Sequence, residues 1–273
     1  MKNTKVTIIS LIKDNFDSFK KTAYSIINQE IDFEIEWLIL DGSNSKLAQE
    51  NLKLLGGLKN ICTRKIKIIH NQMIKKNIYD IYPSMNYGLK IATGSSLIFL
   101  NCGDIFFSKT SLSTMYKKLK SLKEENSFVF GQANIFYTKN LHWLYPSQNL
   151  KNIKKWLKYF DPNHQSMLIT KKLAKSYTFD ENIMVISDGI WKRNIIQNAK
   201  SYFYIDKPVV TFNLDGISNK RPKFHILVNQ IKNKKVSFPR KIIVIIKFII
   251  PTYFYFFYPI LQKYKSLLID QIF

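Results

Sequence analysis

Short runs of β-branched and apolar residues at 6–12, 36–40, 65–69 and 96–100 alternate with segments of helical spacing such as 17–29 and 84–93. This alternation constrains the fold more than any other feature, because strands joined by helical crossovers pair in parallel and form an α/β sheet flanked by helices. Ligands of open α/β sheets bind outside the carboxyl ends of the strands. Polar groups occupy those ends here: Ser10 with Lys13 and Asp14, then Asp41, then Asn101 and Asp104. Carboxylates distant in sequence are therefore expected to face one crevice.

The sharpest element of that pattern is Leu97-Ile-Phe-Leu-Asn-Cys-Gly-Asp104, an apolar strand running into a polar turn that ends in a carboxylate. A chain of 273 residues with 46% apolar content has ample material for a core. Its 42 Lys and Arg against 19 Asp and Glu give +23, which favours an anionic partner: nucleic acid, an acidic membrane surface or a phosphorylated substrate. Many of those lysines are scattered among Ile and Asn, a pattern that biased codon usage produces equally well. Cys62 and Cys102 make neither a disulfide framework nor a metal-ligand spacing, so a reducing cytosol is expected and Cys102 reads as a packing residue. The apolar run at 6–12 is too short for a signal peptide and has no small-residue cleavage site, so it reads as a first strand.

Residues 1–131 form the βα half, with Ser108 as the expected cap of a helix reaching 125 and a strand at 127–131. Residues 132–220 form a second half: a hairpin from 133–137 and 141–145, a helix near 152–159 and a strand at 166–170. This half is expected to supply the acceptor pocket; Trp143, Tyr145 and Trp156 could stack on sugar rings there, though core packing is the more common use of such residues. Residues 221–273 form a basic tail that turns apolar and aromatic. The stretch 242–261 has the length of a membrane span but contains Lys247, Pro251 and tyrosines. An interfacial segment is expected, with a helix packed on the domain as the alternative.

Sugar transfer from a nucleoside diphosphate requires a nucleoside pocket, neutralisation of the departing diphosphate and a base for the acceptor hydroxyl. Asp104 suits a hard cation, which takes oxygen ligands from one or two carboxylates and from phosphates; a carboxylate bracing a tight turn is the alternative. Asp41, in Trp37-Leu-Ile-Leu-Asp-Gly-Ser-Asn44, can accept hydrogen bonds from a base or ribose, or form an Asx turn. Asp188 opens an expected helix, where it can cap the helix or serve as general base.

Ile81-Tyr-Pro-Ser-Met-Asn-Tyr-Gly-Leu89, Ala92-Thr-Gly94 and Phe99-Leu-Asn-Cys-Gly-Asp104 together resemble the family 2 glycosyltransferases of bacterial capsule, O-antigen and exopolysaccharide synthesis. The family pattern is Gly-Ile-Tyr-Asp-Ala-Met-Asn-Lys-Gly, then Ala-x-Gly, then Phe-Leu-Asn-x-Gly-Asp. The likeness extends to Val6-Thr-Ile-Ile-Ser10, to the Asp41 segment, to Asn163-His-Gln-Ser166, to Ser187-Asp188 and to Asp215-Gly-Ile-Ser218, covering roughly 4–220.

The resemblance implies a GT-A fold, a nucleoside-diphosphate sugar donor with UDP favoured, a divalent Mn2+ or Mg2+, and an inverting hexosyl- or N-acetylhexosaminyltransferase. Carried over residue by residue, it makes Asp188 the base and Asp104 the metal and diphosphate ligand. It makes Ser10, Asp41, Asn86, Asn101, Asp104 and His164 the nucleotide-sugar set, with Asp41 on the nucleoside; by chemistry alone a lone histidine such as His164 is more often a structural residue. A glycan acceptor, lipid-linked in keeping with the basic aromatic tail, and a cytoplasmic site at the inner membrane face follow from the same likeness; nucleic acid is not among the implied partners. Pro83 stands where the family has Asp, and Asn101 replaces the first acid of an Asp-x-Asp signature, so metal affinity would rest on Asp104 and the phosphates.

Among rival readings, a sugar-phosphate nucleotidyltransferase or a dinucleotide-binding dehydrogenase would need a glycine-rich phosphate loop after the first strand, and Ser10-Leu-Ile-Lys-Asp-Asn15 has no glycine. A nucleic-acid-binding protein is motivated by charge and by 14% aromatic content, without a recognition motif.

Overall fold

The structure is a computed structural model that describes residues 5–61, 65–78, 80–147, 152–214, 222–234, 236, 238–249 and 257–272. Cys62 and the Asp215-Gly-Ile-Ser218 segment lie outside these residues.

The first half follows the expected alternation: β1 (Val6–Ile12), α1 (Phe16–Ile27), β2 (Ile35–Asp41), α2 (Ser45–Ile61), β3 (Ile66–Gln72), α3 (Ile81–Ile91), β4 (Ser96–Phe99), β5 (Ile105–Phe106) and α4 (Ser111–Ser121). The second half comprises β6 (Ser127–Thr138), β7 (Leu141–Tyr145), α5 (Ile153–Tyr159), β8 (Met167–Thr170), α6 (Lys171–Lys175), α7 (Ser187–Asn198) and β9 (Ser201–Asn213). The tail forms α8 (Phe224–Lys232), α9 (Phe238–Ile249) and α10 (Tyr258–Ile272). Among the described residues, nine strands make one mostly parallel sheet in the order β3-β2-β1-β4-β8-β6-β9-β5, with β7 on the far end of β6. The pairings of β1 with β2 and β4, of β2 with β3 and of β6 with β9 are parallel; β8, β5 and β7 run antiparallel to their neighbours.

Helices cover both faces, so the central strands read as near-continuous apolar runs. Alternate side chains enter two cores: Ile8, Trp37 and Ile39 join Phe19 and Leu112 on one face, while Ile9, Leu38 and Leu40 join Met85, Phe99, Trp156 and Trp191 on the other. Trp143 and Trp156 are buried, so core packing is their role.

The structure departs from expectation at Ser108 and over 127–137, and it adds a strand, β9, that the expectations did not include. Ser108 does not cap α4, which begins at Ser111 after Thr110 and ends at Ser121 rather than at 125; the Ser108 carbonyl instead accepts Gln29 Nε2, just beyond the end of α1, at 2.9 Å. The runs expected at 127–131 and 133–137 are one strand, β6, because extra residues bulge out of β9 opposite Gly131 to Ala133 and both ends of β6 stay paired with β9. β9 carries Asp206-Lys-Pro208, which reads as a strand breaker; the register steps from Gly131↔Ile205 to Gln132↔Pro208, so the bulge absorbs that interruption.

Two glycines of the resembling motifs are fixed by packing. A Cβ on Gly88 of α3 would lie 2.8 Å from Ile9 Cγ2 and 2.9 Å from Leu40 Cδ1, so the helix rests directly on the sheet. One on Gly94 would lie 2.6 Å from the Thr7 backbone nitrogen, and the Gly94 N–H donates to Thr7 Oγ1 at 2.9 Å. Beside it, Thr93 N and Oγ1 donate to the buried Glu36 carboxylate. Because backbone cannot yield as a side-chain tip does, Gly94→Ala is expected to destabilise by about 1–3 kcal/mol or more. Gly56→Ala, in α2 with nothing near its Cβ position, should be neutral or stabilise by up to about 1 kcal/mol; paired urea titrations measure the difference.

Candidate active site

At the end of β4 the chain turns through Asn101-Cys-Gly-Asp104. The Asp104 N–H donates to the Asn101 carbonyl at 3.0 Å, and Gly103, at φ +97°, takes the left-handed corner that a type II turn gives to glycine. Thr22 of α1 clamps the turn: its hydroxyl donates to the Asp104 carbonyl at 2.8 Å and accepts from the Gly103 N–H at 3.0 Å. The Asp104 carboxylate is thereby held 4% exposed, accepting Gln165 Nε2 at 3.0 Å on one oxygen and the Asn213 N–H at 3.1 Å on the other. Burial raises its pKa to about 8 against the opposing pull of those two bonds.

The sign of the pH effect follows. A folded carboxyl that keeps its proton above the unfolded value makes the native state bind more protons, so stability is fully present below about pH 4 and is lost as pH rises towards about 8. In chelator, the melting temperature should fall between pH 5 and 8, and Asp104→Asn should flatten that slope. An unchanged slope would mean Asp104 is ionised in the free protein.

No group of three or more His, Cys, Asp and Glu side chains fit to hold a metal occurs among the described residues. A cation shared with phosphates does fit: among the described residues Asp104 supplies one buried carboxylate with no cationic partner, and Asn101 Oδ1 is buried without a hydrogen-bond partner.

Asp41 ends β2, 1% exposed. One oxygen accepts the Ser43 N–H at 2.9 Å, an Asx turn; the other accepts Asn51 Nδ2 at 2.9 Å and meets His70 Nε2 at 2.9 Å. Burial opposes ionisation, but the His70, Ser43 and Asn51 bonds outweigh it and hold the carboxyl below its usual value. Cys102 feels both crevice acids: burial first, then the charges of Asp104 and Asp41, push its thiol up to about 12, so it is no nucleophile.

The second carboxylate pair is joined through one turn. Asn163 Oδ1 accepts the Gln165 N–H at 3.0 Å, and the Asn163 carbonyl accepts the Ser166 N–H and hydroxyl, closing a 3-10 turn at His164–Ser166 that leads into β8. From this turn Gln165 reaches Asp104, while His164 Nδ1 lies 3.3 Å from Asp188 Oδ2. Asp188 sits in the first turn of α7 with its side chain 31% exposed, and Tyr82 of α3 donates its hydroxyl to Oδ1 at 3.3 Å. Burial pushes the Asp188 carboxyl up, but the His164 hydrogen bond and the nearby Lys192 charge prevail and leave it well below the carboxylate range. Burial and the Asp188 charge push the Tyr82 phenol up, so it stays a hydrogen-bond donor.

Two members of the expected set lie elsewhere. Ser10 is fully buried, donating to the Leu100 carbonyl at 2.6 Å and accepting Trp37 Nε1 at 3.0 Å, so it ties β1 to the residues leaving β4. Asn86 faces the loop before α7: its amide donates to the Phe179 carbonyl and Glu181, and its oxygen accepts the Phe179 N–H at 2.8 Å. Both side chains are engaged by groups of the protein itself. Pro83 occupies the first turn of α3, where a missing N–H leaves no intrahelical bond unmade. The residues that the sequence reading passed over are Gln165, Tyr82, His70 and Lys192; Gln165 was flagged only by standing beside His164.

A cavity of about 310 Å³ opens beside Asp188, lined by Tyr159, Asp161, Asn163, Lys192 and Arg240 among others. A larger one of about 610 Å³ lies at the opposite end of the central strands, where Ser96 begins β4 and Thr170 ends β8, away from these acids.

No family model matches the chain, and no curated protein matches it in sequence. Solved structures do resemble it. S. aureus TarS residues 1–349 in complex with UDP is 14% identical with a TM-score of 0.61, over 90% of this chain and 70% of that one. Full S. aureus TarS gives 15% and 0.59, this chain spanning 43% of its length. GalNAc-T7 with UDP, GalNAc and Mn2+ gives 12% and 0.53, over 77% of this chain and 43% of that one. The expected GT-A fold is thus present.

Proposed function

We propose that the protein is a glycosyltransferase that moves a hexosyl or N-acetylhexosaminyl group from a UDP-sugar to a hydroxyl of a glycan acceptor, with inversion, in bacterial surface polysaccharide synthesis. The observation that carries this reading is the turn at 163–166, which ties Asp104 to Asp188 through adjacent side chains. A diphosphate-side acid and an ionised acid on a second wall are what a direct displacement needs. The GT-A neighbours bound to UDP, to UDP-GlcNAc, and to UDP with Mn2+ favour UDP as the nucleotide.

On this reading Asp41, with His70 and Asn51 behind it, shapes the nucleoside end. Asp104 and the Asn101 amide oxygen would hold a divalent Mn2+ or Mg2+, which supplies neutralisation of the departing diphosphate when bound. Asp188 takes the proton of the acceptor hydroxyl as it attacks the face opposite the leaving group; His164 and Tyr82 fix that carboxylate's orientation. The exposed apolar faces of α9 and α10 suit a seat on the inner face of the cell membrane, and no helix among the described residues is long and apolar enough to cross one.

Calorimetry with UDP, GDP and dTDP, with and without Mn2+, tests the reading. Mn2+-assisted binding of UDP, lost in Asp104→Ala, is expected; steep salt-dependent binding to random DNA with no response to any nucleotide would overturn it in favour of a nucleic-acid-binding protein.

A further inference from the structure

Buried Trp191 anchors the body of α7, but the corner from which α7 starts has a constraint of its own. Ile186 sits there at φ +81° and ψ 0°, a left-handed backbone that a β-branched residue enters only when its surroundings impose it. Its carbonyl accepts the N–H groups of Gly189 and Ile190 at 3.0 and 3.3 Å. This corner therefore begins α7 and sets the direction in which Asp188, in the first turn, leaves the helix. Ile186 is only half-buried, so its own side chain supplies little of the constraint.

The chain ahead of the corner is pinned by two parts of the molecule. From the first half, Asn86 of α3 brackets Phe179. The Asp180 N–H then donates to the Ser187 hydroxyl, closing the segment onto the first residue of α7, and the Asp180 carboxylate accepts the Asn182 N–H at 3.0 Å. From the tail comes Asn229 of α8. Its Oδ1 accepts the Met184 N–H at 3.2 Å, and its Nδ2 donates to the Asn182 carbonyl at 2.9 Å. One side-chain amide thus serves both an N–H and a C=O of the segment, as a neighbouring strand would. Ile183, between the two bonded residues, is fully buried, so core and clamp grip successive residues of one loop. The tail helix α9 reaches the turn beyond the corner: the Arg240 guanidinium nitrogens lie 3.6 and 3.9 Å from where a Cβ on Gly189 would stand.

We propose that Asn229 is a positioning residue for Asp188: by clamping Asn182 and Met184 it holds Ile186 in its strained conformation, and so keeps the carboxylate aimed into the crevice. Helix α8 then belongs to the machinery of the site although it offers no group to the reacting atoms. The role given to Asp188 rests on the transferase reading; the clamp itself is a property of the free chain. Each of its bonds is a neutral one at a half-exposed position and contributes modestly, and the strain it opposes is of the same order. Losing the clamp therefore shifts the corner between conformations and leaves the domain folded.

The test is a double-mutant cycle on the full chain. Asn229→Ala removes both bonds, and Ile186→Asn puts at the corner a residue that tolerates left-handed backbone. Hydrogen exchange is read by mass spectrometry over 182–190, with 36–41 as reference, on the chain without ligand; UDP binding and sugar transfer are measured on the same preparations. Asn229→Ala should speed exchange over 182–190 about tenfold and lower kcat about tenfold, in line with loss of two neutral hydrogen bonds, with the reference segment and UDP affinity unchanged. In the Ile186→Asn background the same change should cost less than about threefold in each, because less strain remains to be held. Equal fold-changes in both backgrounds would make Asn229 a mere anchor of α8 and overturn the proposal, as would unchanged exchange over 182–190. A clamp seen by exchange in a chain that binds no UDP and transfers no sugar would reject the transferase reading and leave the clamp standing. Thermal melts establish that each variant is folded; should Asn229→Ala fail to fold, Asn229→Asp, which keeps an acceptor for the Met184 N–H, takes its place in the cycle.

Discussion

Asp188→Asn is expected to lower sugar transfer by about 10²- to 10⁴-fold, the usual contribution of a positioned general base, while UDP binds with unchanged affinity. The substitution keeps shape: an amide oxygen can still accept from Tyr82, and a side chain 31% exposed leaves no cavity when its charge is removed. It removes the anion that, on the proposed reading, takes the acceptor proton. The pH profile adds a second readout. The His164 hydrogen bond and Lys192 hold the carboxyl below its ordinary value against burial, so the wild-type rate should keep its acidic limb below about pH 4. His164→Ala removes a lowering partner, and the limb should move to higher pH as the carboxyl's pKa rises. Loss of UDP binding together with transfer in Asp188→Asn would make Asp188 a structural residue and leave the base unassigned.

The placement of Asp41 and Asp104 at strand ends was legible, because both follow directly from where apolar runs 36–40 and 96–100 stop. Asp188 was legible as a helix-opening acid, but its partner was not, since the distance between 164 and 188 is set by a 3-10 turn and a helix start that no periodicity announces. Motif position misleads where a motif is structural. Asn86 lies on α3 in the midst of the most specific segment, yet its amide mimics a strand edge to the Phe179 backbone, and Gly88 and Gly94 are there because helix and loop touch the sheet. β9 was hidden for a different reason: Asp206-Lys-Pro208 contradicts a strand locally, and only a bulge in β9 itself, opposite Gly131 to Ala133, lets the pairing resume. Local propensity lost to a tertiary pairing in that case. Ser10 was read as a strand-end ligand because it is polar within an apolar run, whereas a buried hydroxyl in a sheet must find partners inside it, and the Leu100 carbonyl and Trp37 indole supply them.

What holds Asp188 in place is aromatic packing, and Trp191→Ala should show it. Trp191 lies on α7 close after the acid, 1% exposed, stacked on Phe179 at 4.9 Å between ring centroids and edge-on to Phe99 at 5.8 Å. Its Nε1–H donates to the Tyr177 carbonyl at 3.0 Å. Phe179 in turn stacks on Tyr82 at 5.8 Å and is clamped by Asn86, so one wedge of rings connects α3, the end of β4 and the start of α7. Truncating a buried Trp costs about 3–5 kcal/mol through lost transfer energy and residual cavity, a large part of a domain's net stability. Trp191→Phe keeps the stacking and loses the indole donor, for about 1–3 kcal/mol. Urea midpoints measure both. Because the wedge also sets where α7 begins, Trp191→Phe should lower kcat more than it weakens UDP binding, which the proposed reading assigns to Asp41 and Asp104 at the ends of other strands. A Trp191→Ala loss below about 1 kcal/mol would mean that the rings relax around the gap and that α7 is positioned by its polar contacts alone.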